Sequence, residues 1–313
     1  MIFSKMMLGT VQFGLNYGIA NKEGQPSLEK VIGILRAAAD FGVNTLDTAA
    51  AYGTSEEVLG RALEESGLAD KFQIITKVPI FPAETSEKDA ERLIRESLER
   101  SLRRLRRSKL RAVLIHNEQN LPHFTVLERV CAEGYADGAG ISLDSQRALT
   151  DFREVVGRAK YVQLPSNLLD RRFDEFIDSA PQRGAFVFTR SACLQGLLLM
   201  PDADVPPHLR ELLAWREKAR KIADSLGISV KELCFRYLIS LPGVASVVFG
   251  VDNKKQLAEN CSFAGKGALP GGAVERIRTE IPLLEESLIR PFLWPRRAEE
   301  LHGKTRISVH DQP

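Results

Sequence analysis

Short apolar stretches alternate with amphipathic helical stretches along most of this chain, and that alternation confines it to a small set of folds. Residues 27–42 carry Leu28, Val31, Ile32, Leu35, Ala38 and Ala39 on one face at helical spacing. Ser27 suits the start of that helix and Gly42 its end. A strand at 44–47 follows, then Thr54-Ser55-Glu56-Glu57, a capping box opening a helix that ends near Gly67. The next strand is 72–78. A long helix with Ala90, Leu93, Ile94, Leu98, Leu102 and Leu105 in one stripe leads to a strand at 111–116. Further strands fall at 138–142, 161–163, 186–190 and 246–249, with helices between them. One of those helices opens on a second capping box, Ser229 to Glu232. With a strand near 6–8 the count is eight, mostly followed by helices, which predicts parallel strands closing into a (β/α)8 TIM barrel. An open doubly wound sheet is the competing arrangement.

The 313 residues fit one such barrel, and no low-complexity linker divides them. One domain is expected over 1–313, with a segment from about 285 forming a lid or tail. A net charge of +2 favours neither nucleic acid nor membrane as a partner. No apolar run reaches the ~18 residues that span a bilayer, and the start has no basic stretch followed by an apolar core. Cys131, Cys193, Cys234 and Cys261 are scattered, which fits a reduced cytoplasmic protein without structural zinc. The five histidines form no metal-ligand pair, so no metal is expected. Arg103 to Arg111 is a basic run without aromatics or a binding motif, and it reads as a solvated helix end.

Asp47, Tyr52, Lys77 and His116 each lie at or just beyond the C-terminal end of a predicted strand. In a barrel those ends share one mouth, so the four converge there. Singly they have plain alternatives: a helix-entry cap, a loop aromatic, a surface charge, a satisfied histidine. Together they suit one chemistry. A phenol of pKa near ~10 is a reluctant acid and base at neutral pH, and a nearby ammonium favours its phenolate. Asp47 can hold Lys77, and His116 can donate to a carbonyl oxygen as charge develops on it. Tyr52 would then be the general acid. A hydride must come from a cofactor, because no side chain delivers one.

The stretch from Gly42 to Gly53, with Asp47-Thr48-Ala49-Ala50-Ala51-Tyr52-Gly53 at its end, closely resembles the aldo-keto reductase signature. So do Ile75-Thr76-Lys77 and Leu114-Ile115-His116-Asn117, and the resemblance runs from about residue 9 to 260. It implies a nicotinamide cofactor, with Ser142 and Gln163 on the carboxamide. Gly250, Lys254, Lys255, Gln256, Glu259 and Asn260 would lie around the adenosine end, Glu259 and Asn260 facing the adenine. A 2′-phosphate needs a cation, and Lys254 and Lys255 sit in the first turn of a helix, so NADPH rather than NADH is expected. Gln256 stands where some NADPH-preferring members carry arginine.

Two further departures concern the nicotinamide itself. Leu143 follows Ser142 where the family usually has asparagine, with Asn167 a candidate substitute. Arg190 falls where many members stack an aromatic ring, and a cation there disfavours oxidised nicotinamide. Tyr17, Asn117 and Trp294 are candidate substrate contacts, with Phe292 beside Trp294 in an apolar tail. The segment 190–198 and the polar residues Gln12, Asn16, Asn117 and Asn167 suit a small polyhydroxylated or sugar-derived carbonyl substrate, with an apolar aldehyde as the other possibility. The expected activity is reduction of an aldehyde or ketone to an alcohol, or the reverse. The alternative is a non-catalytic, cofactor-binding regulatory subunit on the same fold. The sequence carries no mark of oligomeric state.

Overall fold

In the computed structural model, which describes residues 2–16 and 24–295, eight strands pair in parallel and in sequence order. They are β1 (Met6–Gly9), β2 (Thr45–Asp47), β3 (Gln73–Val78), β4 (Ala112–Ile115), β5 (Ala139–Ser142), β6 (Tyr161–Pro165), β7 (Phe186–Arg190) and β8 (Val244–Phe249). Met6 pairs with Val247 and Leu8 with Phe249, so β1 meets β8 and the sheet closes. The fold is a (β/α)8 barrel, and the open sheet is excluded by that closure.

Period two along each strand decides what the barrel encloses. Phe3, Met7, Ile75, Ala112, Leu114, Tyr161 and Phe188 form a separate buried cluster inside it. Tyr161 stacks on Phe188 at 6.3 Å and 13°, while Phe3 meets Phe188 edge-on at 4.9 Å. Gly140 fits only because it has no side chain: a Cβ there would lie 2.3 Å from the Tyr161 carbonyl oxygen and 2.5 Å from Leu114. Two residues beyond Ile75, Leu114, Gly140, Tyr161 and Phe188 come Lys77, His116, Ser142, Gln163 and Arg190. Alternation therefore puts these polar residues on the same inner face, one layer above an apolar plug.

The helices cover the outside. In Leu28–Asp40, Val31, Ile34, Leu35 and Ala38 are buried and the Ser27 side chain accepts from the Lys30 N–H. Ser229 likewise caps Val230–Ser240 by accepting from the Glu232 N–H at 3.1 Å. The first expected capping box does not form, because Thr54 makes no side-chain cap. Its hydroxyl accepts instead from Gln25 Nε2 at 3.0 Å. The basic run is more engaged than a solvated face. Arg104 pairs with Glu56 at 3.6 Å, Lys109 and Arg111 share Asp137 at 2.7 and 3.2 Å, and Arg107 donates to the Ala69 carbonyl. A cavity of about 280 Å³ opens among Arg107, Lys109, Arg111 and Asp137, at the strand N-termini and opposite the mouth. No described helix is long and apolar enough to cross a membrane.

Candidate active site

The loop carrying Tyr52 is held by close backbone approach. The Thr48 N–H donates to the Ile75 carbonyl at 2.9 Å and the Ala50 N–H to the Lys77 carbonyl at 3.1 Å, docking the loop on β3. Gly53 adopts φ +56°, where side chains are disfavoured, and a Cβ there would meet the Gly14 carbonyl oxygen at 2.5 Å. A Cβ on Gly14 would meet the Tyr52 carbonyl oxygen at 2.0 Å. The two glycines let the turn Val11–Gly14 lie against the Tyr52 backbone and fix the phenol's origin.

Asp47, Tyr52, Lys77 and His116 meet at the mouth. Lys77 Nζ donates to Asp47 Oδ1 at 2.7 Å, to the Thr48 carbonyl at 3.0 Å and to the Tyr52 hydroxyl at 3.3 Å. All three ammonium protons thus have acceptors, which makes burial of the charge tolerable. The His116 ring stands edge-on to the Tyr52 ring, centroids 5.7 Å apart at 78°. Burial and the Asp47 charge raise the Tyr52 pKa well above its ordinary value, while Arg190 opposes them. Burial lowers the Lys77 pKa, against the pull of Asp47. The phenol therefore keeps its proton, beside a cation able to stabilise the phenolate left when that proton departs.

The residues expected around a cofactor divide. Ser142 and Gln163 lie buried at the ends of β5 and within β6. Gln163 Nε2 donates to Asp47 Oδ1 at 2.8 Å, so its amide also orients the carboxylate. Asn260 is nearly inaccessible, at 4%, and its Oδ1 has no hydrogen-bond partner among the described residues. Gln12 Oε1 is similarly unsatisfied and lies over Gly250, where a Cβ would come 2.3 Å from Gln12 Nε2. An orphaned acceptor over Gly250 and a second on the helix that follows β8 fit the amino groups of a bound nucleotide. Glu259 is instead paired with Lys231 at 2.7 Å. Gln256 Oε1 accepts from the Asp252 N–H at 2.8 Å. The Lys254 side chain lies across Gly33, and Lys255 is exposed.

The two departures in the nicotinamide region touch each other: Arg190 Nη2 donates to the Leu143 carbonyl at 3.3 Å and to Asp144 Oδ1 at 2.8 Å. Asn167 is fully buried, its Oδ1 taken by the Leu169 and Asp170 N–H groups and its Nδ2 by the Ser191 carbonyl. It pins a loop. Asn117 caps the turn after β4 by accepting from the Gln119 N–H at 3.0 Å. Trp294 is half-buried, with Nε1 donating to the Leu288 carbonyl at 3.2 Å. Tyr17 lies outside the described residues. Sequence inspection passed over Asp144 and Arg290, which form the charged edge of this mouth. Asp144 did carry a signal, since it stands two residues past a strand end.

The aldo/keto reductase family model matches residues 5–278. The uncharacterized oxidoreductase YqkF of Bacillus subtilis is 26% identical over 273 residues, 80% of this chain and 87% of that protein. A probable voltage-gated potassium channel subunit beta of Arabidopsis thaliana is 24% identical over 291 residues, 82% of this chain and 88% of that one. Among solved structures, the glycerol dehydrogenase of Gluconobacter oxydans superposes with a TM-score of 0.69 at 25% identity, covering 95% and 94% of the two chains. With the family model spanning most of the barrel, the chain belongs to the aldo/keto reductase family.

Proposed function

We propose that this protein reduces an aldehyde or ketone to an alcohol with NADPH, Tyr52 supplying the proton. The observation that carries the reading is the 3.3 Å contact between Lys77 Nζ and the Tyr52 hydroxyl, with Lys77 itself held by Asp47 at 2.7 Å. When bound, the cofactor supplies the hydride. His116 orients the carbonyl oxygen, and Tyr52 passes its proton to that oxygen. Lys77 stabilises the resulting phenolate, and Asp47 with Gln163 keeps the ammonium aligned. Ser142 and Gln163 would hold the nicotinamide end. Gln12, Gly250 and Asn260 would cradle the rest, with Lys254 and Lys255 near the 2′-phosphate.

The barrel and the segment from about residue 285 act as one unit in this reading, Trp294 and Asn117 flanking the substrate. The favoured substrate is a small polyhydroxylated, sugar-derived carbonyl compound, supported by the polar rim. The glycerol dehydrogenase among the similar structures also acts on a polyol. Four free thiols fit a reducing compartment, the cytoplasm.

A cofactor-binding regulatory subunit is the second reading, favoured by the similarity to a channel subunit. One experiment separates the two: NADPH consumption by the purified protein with sugar-type ketones and with aromatic aldehydes, alongside fluorescence titration of the cofactor. Turnover supports the reductase. Tight cofactor binding without turnover on either class supports the regulatory subunit. A strong preference for aromatic aldehydes defeats the substrate class, and no cofactor binding at all defeats both readings.

A further inference from the structure

We propose that Asp144 is a positioning residue: its carboxylate fixes the Arg190 guanidinium at the barrel mouth and, through Arg290, ties the C-terminal segment to the same point. This rests on the reductase reading and names a residue that the reading does not use.

The geometry is that of a shared anchor. Asp144 Oδ1 accepts from Arg190 Nη2 at 2.8 Å. Its Oδ2 accepts from Arg290 Nε at 3.0 Å and pairs with Nη2 at 2.9 Å. Arg290 follows the short helix Glu286–Ile289, pairs with Glu286, and lies 4.3 Å over the Phe292 ring. The backbone of Asp144 is fixed as well. Its N–H donates to Glu118 Oε1 at 2.6 Å, and its carbonyl accepts from Arg172 Nη1 at 2.9 Å. Arg172 is in turn clamped on buried Asp170 by two bonds of 2.8 Å. The loops after β4, β5 and β6, the end of β7 and the C-terminal segment thus converge on one residue. The side chains of Asp144 and Arg290 are only 18% and 13% exposed, so the pair is not a loose surface contact. Burial pushes the Asp144 carboxyl up, but the two guanidiniums outweigh it and hold the group below the usual carboxylate range.

A carboxylate divided between two guanidiniums compensates each of them in part. The charged or titratable groups facing Tyr52 are Asp47, Lys77, His116 and Arg190, and the Arg190 charge favours the phenolate. Around Asp144 stand Arg190, Arg290, Arg172 and Glu118, with Glu286 acting through Arg290 and Asp170 acting on both Arg172 and Arg190. Asp144→Asn removes the carboxylate nearest to Arg190 and leaves Asp170 as a weaker counter-charge, so the phenolate becomes easier to form. Arg290→Gln leaves more of the Asp144 charge to Arg190 and works the other way. Alcohol oxidation needs the phenolate as base, so its rate rises with pH.

The test measures that rising limb for the wild type and for Asp144→Asn, Asp144→Glu and Arg290→Gln. The expected displacement is on the order of half a pH unit, to lower pH for Asp144→Asn and to higher pH for Arg290→Gln. Asp144→Glu should stay with the wild type. A purely structural anchor would move neither limb, or both the same way, and either result overturns the positioning role. Chymotrypsin cleavage after Phe292 gives a readout independent of turnover. It should be faster in both Asp144→Asn and Arg290→Gln, and unchanged cleavage in both overturns the tie to the C-terminal segment. A wild type with no turnover counts against the reductase reading, while the cleavage rates still decide the tie.

Discussion

Lys77 Nζ and Asp47 Oδ1 lie 2.7 Å apart, with side-chain exposures of 0% and 4%, so neither charge has water to fall back on. Gln163 Nε2 shares the same carboxylate oxygen at 2.8 Å. Removing one partner strands the other, which costs about 3–5 kcal/mol for a buried pair. Lys77→Met should lower unfolding stability by that order, and Asp47→Asn similarly. The double variant should lose much less than the two single losses added. Urea denaturation of the four proteins measures this, and strict additivity would mean that the pair is not coupled.

Tyr52→Phe removes the phenol and keeps the ring that packs against His116. Turnover should fall by at least ~10²-fold, the scale of general acid catalysis, with cofactor affinity retained. Equal turnover in the two proteins would end the assignment of Tyr52 as proton donor.

The same substitution has a signature in stability. Burial and Asp47 raise the folded-state pKa of Tyr52 above its unfolded value. Above the unfolded pKa of about 10 the unfolded chain sheds a proton that the folded chain keeps, so stability contributed by this group is lost as pH rises. Phenylalanine has nothing to titrate. Urea midpoints between about pH 9 and 11 should therefore fall less steeply for Tyr52→Phe than for the wild type. Parallel slopes would mean that the phenol's proton is not held by the fold.

Arg190 carries its charge over the mouth, tempered by Asp144 at 2.8 Å. A fixed cation disfavours the positively charged oxidised nicotinamide more than the neutral reduced ring. Arg190→Leu should tighten NADP⁺ relative to NADPH by about three- to fivefold, about the effect of one partly screened charge. Fluorescence and equilibrium titrations of both forms give the ratio, and an unchanged ratio would mean that the guanidinium does not face the ring.

The barrel was legible in the sequence because short apolar runs alternate with amphipathic helices, and period two follows once those runs are strands. Ile75, Leu114, Tyr161 and Phe188 had to point inward, and Lys77, His116, Gln163 and Arg190 had to stand above them. Contacts between distant loops leave no such trace. Asp144 and Arg290 are 146 positions apart, and nothing local in either segment requires the other. The bend after β7 was equally silent, since Ser191, Leu194 and Gln195 adopt positive φ without being glycine. Thr54 had a capping sequence, yet its hydroxyl serves Gln25, a tertiary partner that a local pattern cannot name. Polar side chains suggested a substrate rim at Asn117 and Asn167, but Asn167 spends both ends of its amide on its own loop, while Asn117 gives its Oδ1 to the turn it caps, the commoner use of asparagine there.

Lys254 and Lys255 open the helix Lys254–Gly265, whose start is capped by Asn253 accepting from the Gln256 N–H at 3.0 Å. That cap leaves other N–H groups of the first turn for a ligand, and two lysines open the same turn, a sequence suited to a phosphate. Lys254 lies along Gly33, so its stem is guided by the neighbouring helix, while Lys255 is exposed. Replacing both with alanine should weaken NADPH binding by about tenfold, about 1.4 kcal/mol, and leave NADH unchanged. The loss should shrink as salt rises, because exposed charges are screened within roughly 10 Å at 0.1 M ionic strength. Titration with each cofactor at low and high salt measures both effects. Equal weakening of NADPH and NADH would mean that the lysines act on the nucleotide as a whole, and NADPH selectivity would then have to come from elsewhere in the helix.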